Sequence, residues 1–134
     1  MILKVFSDGA SRGNPGEAGC GFVILNTENK VLEEGCLYLG HATNNVAEYR
    51  AVLEAARRAK LKNPSEINFY LDSELIVKQM KGEYKVRNEA LALIRLELVK
   101  TLQGLKVSFN HVPREQNKLA DKLANKAIDD KITA

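Results

Sequence analysis

Short apolar runs give way, partway along the chain, to stretches that repeat on a helical period. Residues 2–7 (ILKVFS), 19–26 (GCGFVILN) and 30–40 (KVLEEGCLYLG) are rich in β-branched and large apolar side chains, and the polar turn TEN at 27–29 separates the last two. The pattern predicts three strands joined by short turns, an antiparallel meander. The texture then changes. Residues 44–63 (NNVAEYRAVLEAARRAKLKN) abound in alanine, leucine and arginine, open on asparagine and stop at Asn63-Pro64, which are helix start and stop signals. A fourth strand is predicted over 66–72 (EINFYLD) and a short helix over 73–82, opened by Ser73 and closed near Gly82. Leu91, Ile94, Leu98 and Leu102 fall at helical spacing within 88–104, which ends at Gly104. A fifth strand over 105–112 and a last helix over 117–129, with Leu119, Leu123 and Ala127 on one face, complete the chain.

The predicted order is β-β-β-α-β-α-α-β-α. A meander followed by βα units implies an α/β fold with one five-stranded mixed sheet: antiparallel first, parallel later, and flanked by helices. Sites in such sheets lie beyond the carboxyl ends of strands. No repeat, low-complexity tract or linker divides residues 1–134, so a single domain is expected.

Composition narrows the picture only modestly. With 45% hydrophobic and 28% charged residues the chain reads as a soluble globular domain. The net charge of +3, from 20 basic and 17 acidic residues, permits a polyanionic partner without indicating one. The apolar runs, such as FVIL at 22–25, are too short to span a bilayer, so no membrane partner is expected. Lys4 and Asp8 interrupt the apolar start, which argues against an export signal and for a cytoplasmic location. Cys20 and Cys36 lack metal-ligand spacing. A hairpin around 27–29 would bring them near each other, but without export the expectation is two reduced thiols.

Four carboxylates change the picture more. Asp8 closes the first apolar run and Asp72 the fourth, so if those strands are parallel neighbours the two acids stand side by side. Glu48 sits early in its helix among Val46, Ala47 and Ala51, and Asp121 early in the last helix among Leu119, Ala120 and Leu123. Taken singly, each has a plain explanation: aspartates start turns, and acids suit the starts of helices. Together they converge on one sheet edge. Clustered carboxylates repel unless a cation or protons intervene. A hard divalent cation such as magnesium prefers such oxygen ligands, and no histidine or cysteine accompanies the set to suggest zinc.

SDGASRGNPG (7–16), TNNVAEYRAV (43–52), LDSELIVKQMKGEY (71–84) and VPREQNKLADKLA (112–124) resemble, in order, the four signature blocks of the type 1 ribonuclease H family. The resemblance runs from Lys4 to about Ala127. It implies the ribonuclease H-like fold and Mg²⁺- or Mn²⁺-dependent cleavage of the RNA strand of RNA–DNA hybrids, with two ions bound alongside substrate. Products with 5′-phosphate and 3′-hydroxyl ends and a monomeric enzyme go with it. Asp8, Glu48, Asp72 and Asp121 are then the metal-binding and catalytic acids. Asn14, Thr43, Asn44 and Asn45 match substrate-contacting positions, and Gly9 would let the backbone approach a sugar-phosphate. Ser73, next to Asp72, joins the expected substrate contacts.

Two departures from the family matter. The basic, tryptophan-bearing protrusion of many members is missing, leaving KQMKGEYKVR at 78–87. Its Lys81 and Lys85, with Lys78 and Arg87, form either a reduced phosphate-binding patch or a solvated surface. In the loop before Asp121, an ungapped count places His111 at the family's histidine position. The apolar pattern puts His111 at a strand end, so Arg114 is preferred as the loop residue that serves the site. Other readings are the same chemistry with double-stranded RNA among its substrates, and a non-catalytic hybrid-binding module. The presence of all four acids disfavours the module.

Overall fold

The structure is a computed structural model describing residues 1–133. Its elements run β1 (Ile2–Arg12), β2 (Gly16–Leu25), β3 (Val31–Ala42), α1 (Asn44–Lys60), β4 (Glu66–Leu71), α2 (Glu74–Met80), α3 (Glu89–Leu102), β5 (Lys106–His111) and α4 (Lys118–Asp129). One 3₁₀ turn, Arg114–Gln116, links β5 to α4. The five strands form a single sheet in the order β3-β2-β1-β4-β5. β1, β2 and β3 pair antiparallel, whereas β1–β4 and β4–β5 pair parallel, the expected mixed sheet.

Strand alternation sorts the side chains. Leu3 and Val5 of β1, Phe22 and Ile24 of β2, and Ile67, Phe69 and Leu71 of β4 point into the main core. There they meet Val52, Ala55, Ala56 and Ala59 of α1, Ile76 and Val77 of α2, and Leu91, Leu98 and Leu102 of α3. Small residues let α1 lie close to the sheet. Within this layer the Tyr49 hydroxyl donates to Gln79 Oε1 at 2.6 Å, and the Gln79 carbonyl accepts from Arg95 Nε at 3.1 Å, tying α1, α2 and α3 together. α4 covers the other face, where a Cβ on Gly21 would come within 2.6 Å of the Ala120 carbonyl.

The structure departs from the sequence pattern in three places. β1 continues past residue 7 to Arg12 and β2 begins at Gly16, because Gly9–Arg12 pair with Glu17–Cys20 in an unbroken hairpin ladder. Gly13, at φ 106°, makes the turn between them, while Gly9 lies where α1 presses on the sheet. α1 stops at Lys60 rather than at residue 63, where Asn63 takes φ 52° before Pro64. α4 presents Ala120, Ala124, Ala127 and Ile128 to the sheet over Gly19 and Gly21 and leaves Leu119 43% exposed. Cys20 and Cys36 are one register step apart on β2 and β3, so they face opposite sides of the sheet, and both are free thiols. Burial pushes the Cys20 thiol up to about 12.

Candidate active site

β1 is paired on both sides only as far as Phe6, whose β4 partner is Tyr70. Two residues further, in the same register, Asp8 faces Asp72, which lies just past the end of β4. Asp8 is therefore inside a strand, not at its end: its β2 neighbour is still paired, while its β4 side has opened. α1 crosses β1 at this point so closely that a Cβ on Gly9 would overlap the Ala47 and Glu48 backbone. That contact brings Glu48 to the two aspartates. One carboxylate oxygen each from Asp8, Glu48 and Asp72 lies within 4.8 Å of the others. Asp121 comes from α4 on the opposite face, within hydrogen-bonding reach of Asp8.

The electrostatics follow from this crowding. Asp8 is 9% exposed; burial, then the charges and contacts of Asp72, Asp121 and Glu48, push its carboxyl from 3.8 up to about 9. Burial and Asp72 also raise Glu48, to about 7, against relief from the Ser73 hydroxyl, the Asn44 amide and the Arg114 charge. A cleft lined by Ser7, Val52, Leu71, Ser73 and Ile76 runs behind these carboxylates, its enclosed space about 10 Å³, the size of one water. Every donor in the acid cluster is a carboxylate oxygen, and burial together with the neighbouring carboxylates disfavours the charged form of Asp8 when no cation is bound. Both properties fit a hard divalent cation.

The remaining sequence-predicted residues divide by what holds them. Asn44 Nδ2 donates to Glu48 Oε1 at 3.0 Å, and Asn14 Oδ1 accepts from the Asn44 backbone N–H at 3.0 Å, joining the β1–β2 turn to the start of α1. Thr43 caps α1 by accepting from Val46 N–H at 3.2 Å, and Ser73 caps α2 by accepting from Ile76 N–H at 3.3 Å. Asn45 is exposed. Gly9 is buried against α1, a place that accounts for the glycine by packing alone. Lys81 and Lys85 are exposed in the segment between α2 and α3, whereas Lys78 is engaged by Glu74 at 2.9 Å and by the Tyr84 ring. Arg114 lies in the 3₁₀ turn, close enough to pull down Glu48. His111 ends β5, and its charge acts on Glu74 at the start of α2 instead.

Two residues of the site lack a signal in the sequence. Asn117 stands before α4 where an asparagine reads as a cap, yet its side chain caps nothing. It is 1% exposed, and its Nδ2 donates to the Ser7 carbonyl and to Asp72 Oδ2. Asn125 Nδ2 donates to the Asp121 backbone carbonyl at 3.0 Å and reaches its side chain at 3.4 Å; Arg12, paired with Asp129 at 2.6 Å, also reaches Asn125. Both amides support acids from outside the cluster.

Comparison with known proteins gives this arrangement its relatives. Residues 6–127 match the reverse transcriptase-like family. The chain is 40% identical over 129 residues to ribonuclease HI of Halobacterium salinarum, covering 96% of this chain and 65% of the relative. The crystal structure of the Halobacterium RNase H1 aligns with a TM-score of 0.93 at 38% identity, covering 97% of this chain and 99% of that one. Ribonuclease H of Legionella pneumophila is 32% identical over 146 residues, 97% of this chain and 99% of the relative. LC11-RNase H1, solved in complex with RNA/DNA hybrid, aligns with a TM-score of 0.92 at 38% identity, covering 96% and 98% of the two chains. The chain spans only 36% of the length of its mycobacterial relatives.

Proposed function

The chain belongs to the type 1 ribonuclease H family, and we propose that it is an endonuclease cleaving the RNA strand of RNA–DNA hybrids to 5′-phosphate and 3′-hydroxyl ends. The observation that carries this reading is the convergence of Asp8, Glu48 and Asp72 within 4.8 Å, with Asp8 driven to about 9. Asp8, Glu48, Asp72 and Asp121 would hold two Mg²⁺ or Mn²⁺ ions when substrate is present. Divalent ions in such a site supply an activated water and charge stabilisation for the leaving oxygen.

The chain's own polar groups do the positioning. Asn44 orients the Glu48 carboxylate from within α1. Asn14 and Asn45, flanking that helix start, suit the 2′-hydroxyls of a wide, shallow minor groove, the feature that distinguishes RNA from DNA. Thr43 and Ser73 line the approach while capping their helices, and Arg114 offers a permanent positive charge to a phosphate. Lys81 and Lys85 would contribute salt-sensitive backbone contacts. The LC11-RNase H1 complex supports hybrid as the substrate class.

The deciding assay incubates end-labelled hybrid, RNA duplex and DNA duplex with Mg²⁺ or Mn²⁺ and compares the products. Cleavage confined to the RNA strand of hybrid supports the proposal. Cleavage of RNA duplex at a similar rate would favour the broader double-stranded substrate range. Binding of hybrid without cleavage under either metal would leave only a binding module.

A further inference from the structure

The helix α3 is apolar on both sides. Leu91, Leu98 and Leu102 enter the core, yet Leu93, Leu96 and Val99 are 65%, 50% and 47% exposed. At 100° per residue, Leu96 points about 140° away from the centre of the buried stripe, with Ala92, Val99 and Gln103 beside it and Lys100 directly opposite the stripe. Residues 89, 92, 96, 99 and 103 thus repeat on the three–four spacing of a helix that packs against another helix. Beside Val99 the apolar area continues into a hollow formed with Met80, Val107 and Phe109.

We propose that this face of α3 is a self-association surface, and that two copies pack their α3 helices antiparallel about a two-fold axis at Leu96. The face is self-complementary in that arrangement. Leu96 of each copy meets Leu96 of the other, and Ala92 of each meets Val99 of the other. Glu89, at the start of α3, comes within one helical turn of Lys100 of the second copy, and the two-fold axis makes that contact twice. Both residues are exposed, and neither forms an ion pair within the described chain. A parallel pairing would instead set like charge against like. α3 is 14 residues long, roughly 21 Å, too short a contact for the ~800 Å² per partner of a tight dimer. The association is therefore weak, with a dissociation constant of about 10 μM to 1 mM.

Sedimentation velocity from about 5 μM to 1 mM tests this. The wild type should move from the 14.9 kDa monomer toward twice that mass, while Leu96→Glu remains monomeric with unchanged hybrid cleavage per chain. Glu89→Lys and Lys100→Glu should each weaken association, and the double variant should restore it. A wild type that is monomeric throughout the range would overturn the proposal, whatever else then covers the face. So would a Leu96→Glu variant that dimerises like the wild type. Weakening by both single variants without rescue in the double would overturn the antiparallel register.

Discussion

Asn117 and Asp72 are joined by a 3.0 Å hydrogen bond from the Asn117 amide to the Asp72 carboxylate, and the same Nδ2 donates to the Ser7 carbonyl at 2.8 Å. One buried amide thus ties the residue before Asp8 to the carboxylate that faces it. Asn117→Ala removes both bonds and should cost about 1–3 kcal/mol of stability, the desolvation of the groups left unpaired. It should also lower kcat by roughly 10- to 100-fold, because Asp72 loses its orientation. Chemical denaturation and steady-state cleavage measure the two effects; an unchanged kcat would reduce Asn117 to a packing residue.

Asp8→Asn should abolish cleavage and leave the fold intact. In the metal-free protein the substitution removes a carboxyl that burial and its acidic neighbours disfavour, so the variant should melt higher than the wild type, by roughly 3–6 °C for each kcal/mol gained. Mg²⁺ should raise the melting temperature of the wild type by linkage and that of the variant less. Equal shifts in the two proteins, or more than a tenth of wild-type activity in the variant, would count against Asp8 as a ligand.

The pH dependence has a definite sign. Asp8 and Glu48 hold their protons more tightly folded, to about 9 and about 7, than at their ordinary values of 3.8 and 4.5. Between those limits the native state binds more protons than the unfolded state, so stability falls as pH rises. With metal chelated, the wild type should lose stability from about pH 4 to about pH 9, and Asp8→Asn should lose less. Melts at pH 5, 7 and 9 would show the two curves diverging toward alkaline pH; parallel curves would mean the carboxylates are not crowded in solution.

Arg114 and His111 are distinguished by what their charges reach: Glu48 for the first, Glu74 for the second. A guanidinium stays charged at every accessible pH, so it can hold a phosphate but cannot shuttle a proton near neutrality. Arg114→Ala should slow turnover about 10- to 100-fold without removing a titration step, the loss of one charged contact. His111→Ala should leave the pH–rate profile intact. A severe His111 defect with a missing limb near pH 6–7, alongside an active Arg114→Ala, would reverse the assignment.

The meander, the helices and the Asp8–Asp72 pairing were legible because each rests on local pattern. Period-2 and helical spacing mark the elements, and two strands that carry an aspartate at the same distance align those aspartates once they pair in parallel. Gly9, Gly19 and Gly21 were not legible, since a glycine required by an overlying helix has the same letter as one required by a turn. Leu119 misled because hydrophobicity alone favours burial, while the stripe of α4 that meets the sheet runs through Ala120, Ala124, Ala127 and Ile128. Asn117 carried no local pattern, since its side chain serves Ser7 and Asp72, both distant along the chain. Leu93, Leu96 and Val99 follow a pattern as regular as that of the buried stripe, and spacing cannot say which of two apolar stripes turns toward α1 and the core.

Because β1 keeps its β2 ladder through Arg12 but loses its β4 neighbour after Phe6, the two central aspartates have unequal mechanical support. The Asp8 backbone is clamped in a hairpin, whereas Asp72 belongs to a chain that has already left the sheet. Their separation is set on one side by the β1–β2 ladder and on the other by the bond from Asn117 to the Asp72 carboxylate. The Asp8 side is braced through backbone, by the hairpin and by α1 against Gly9, whereas the Asp72 side is held by one buried side-chain amide.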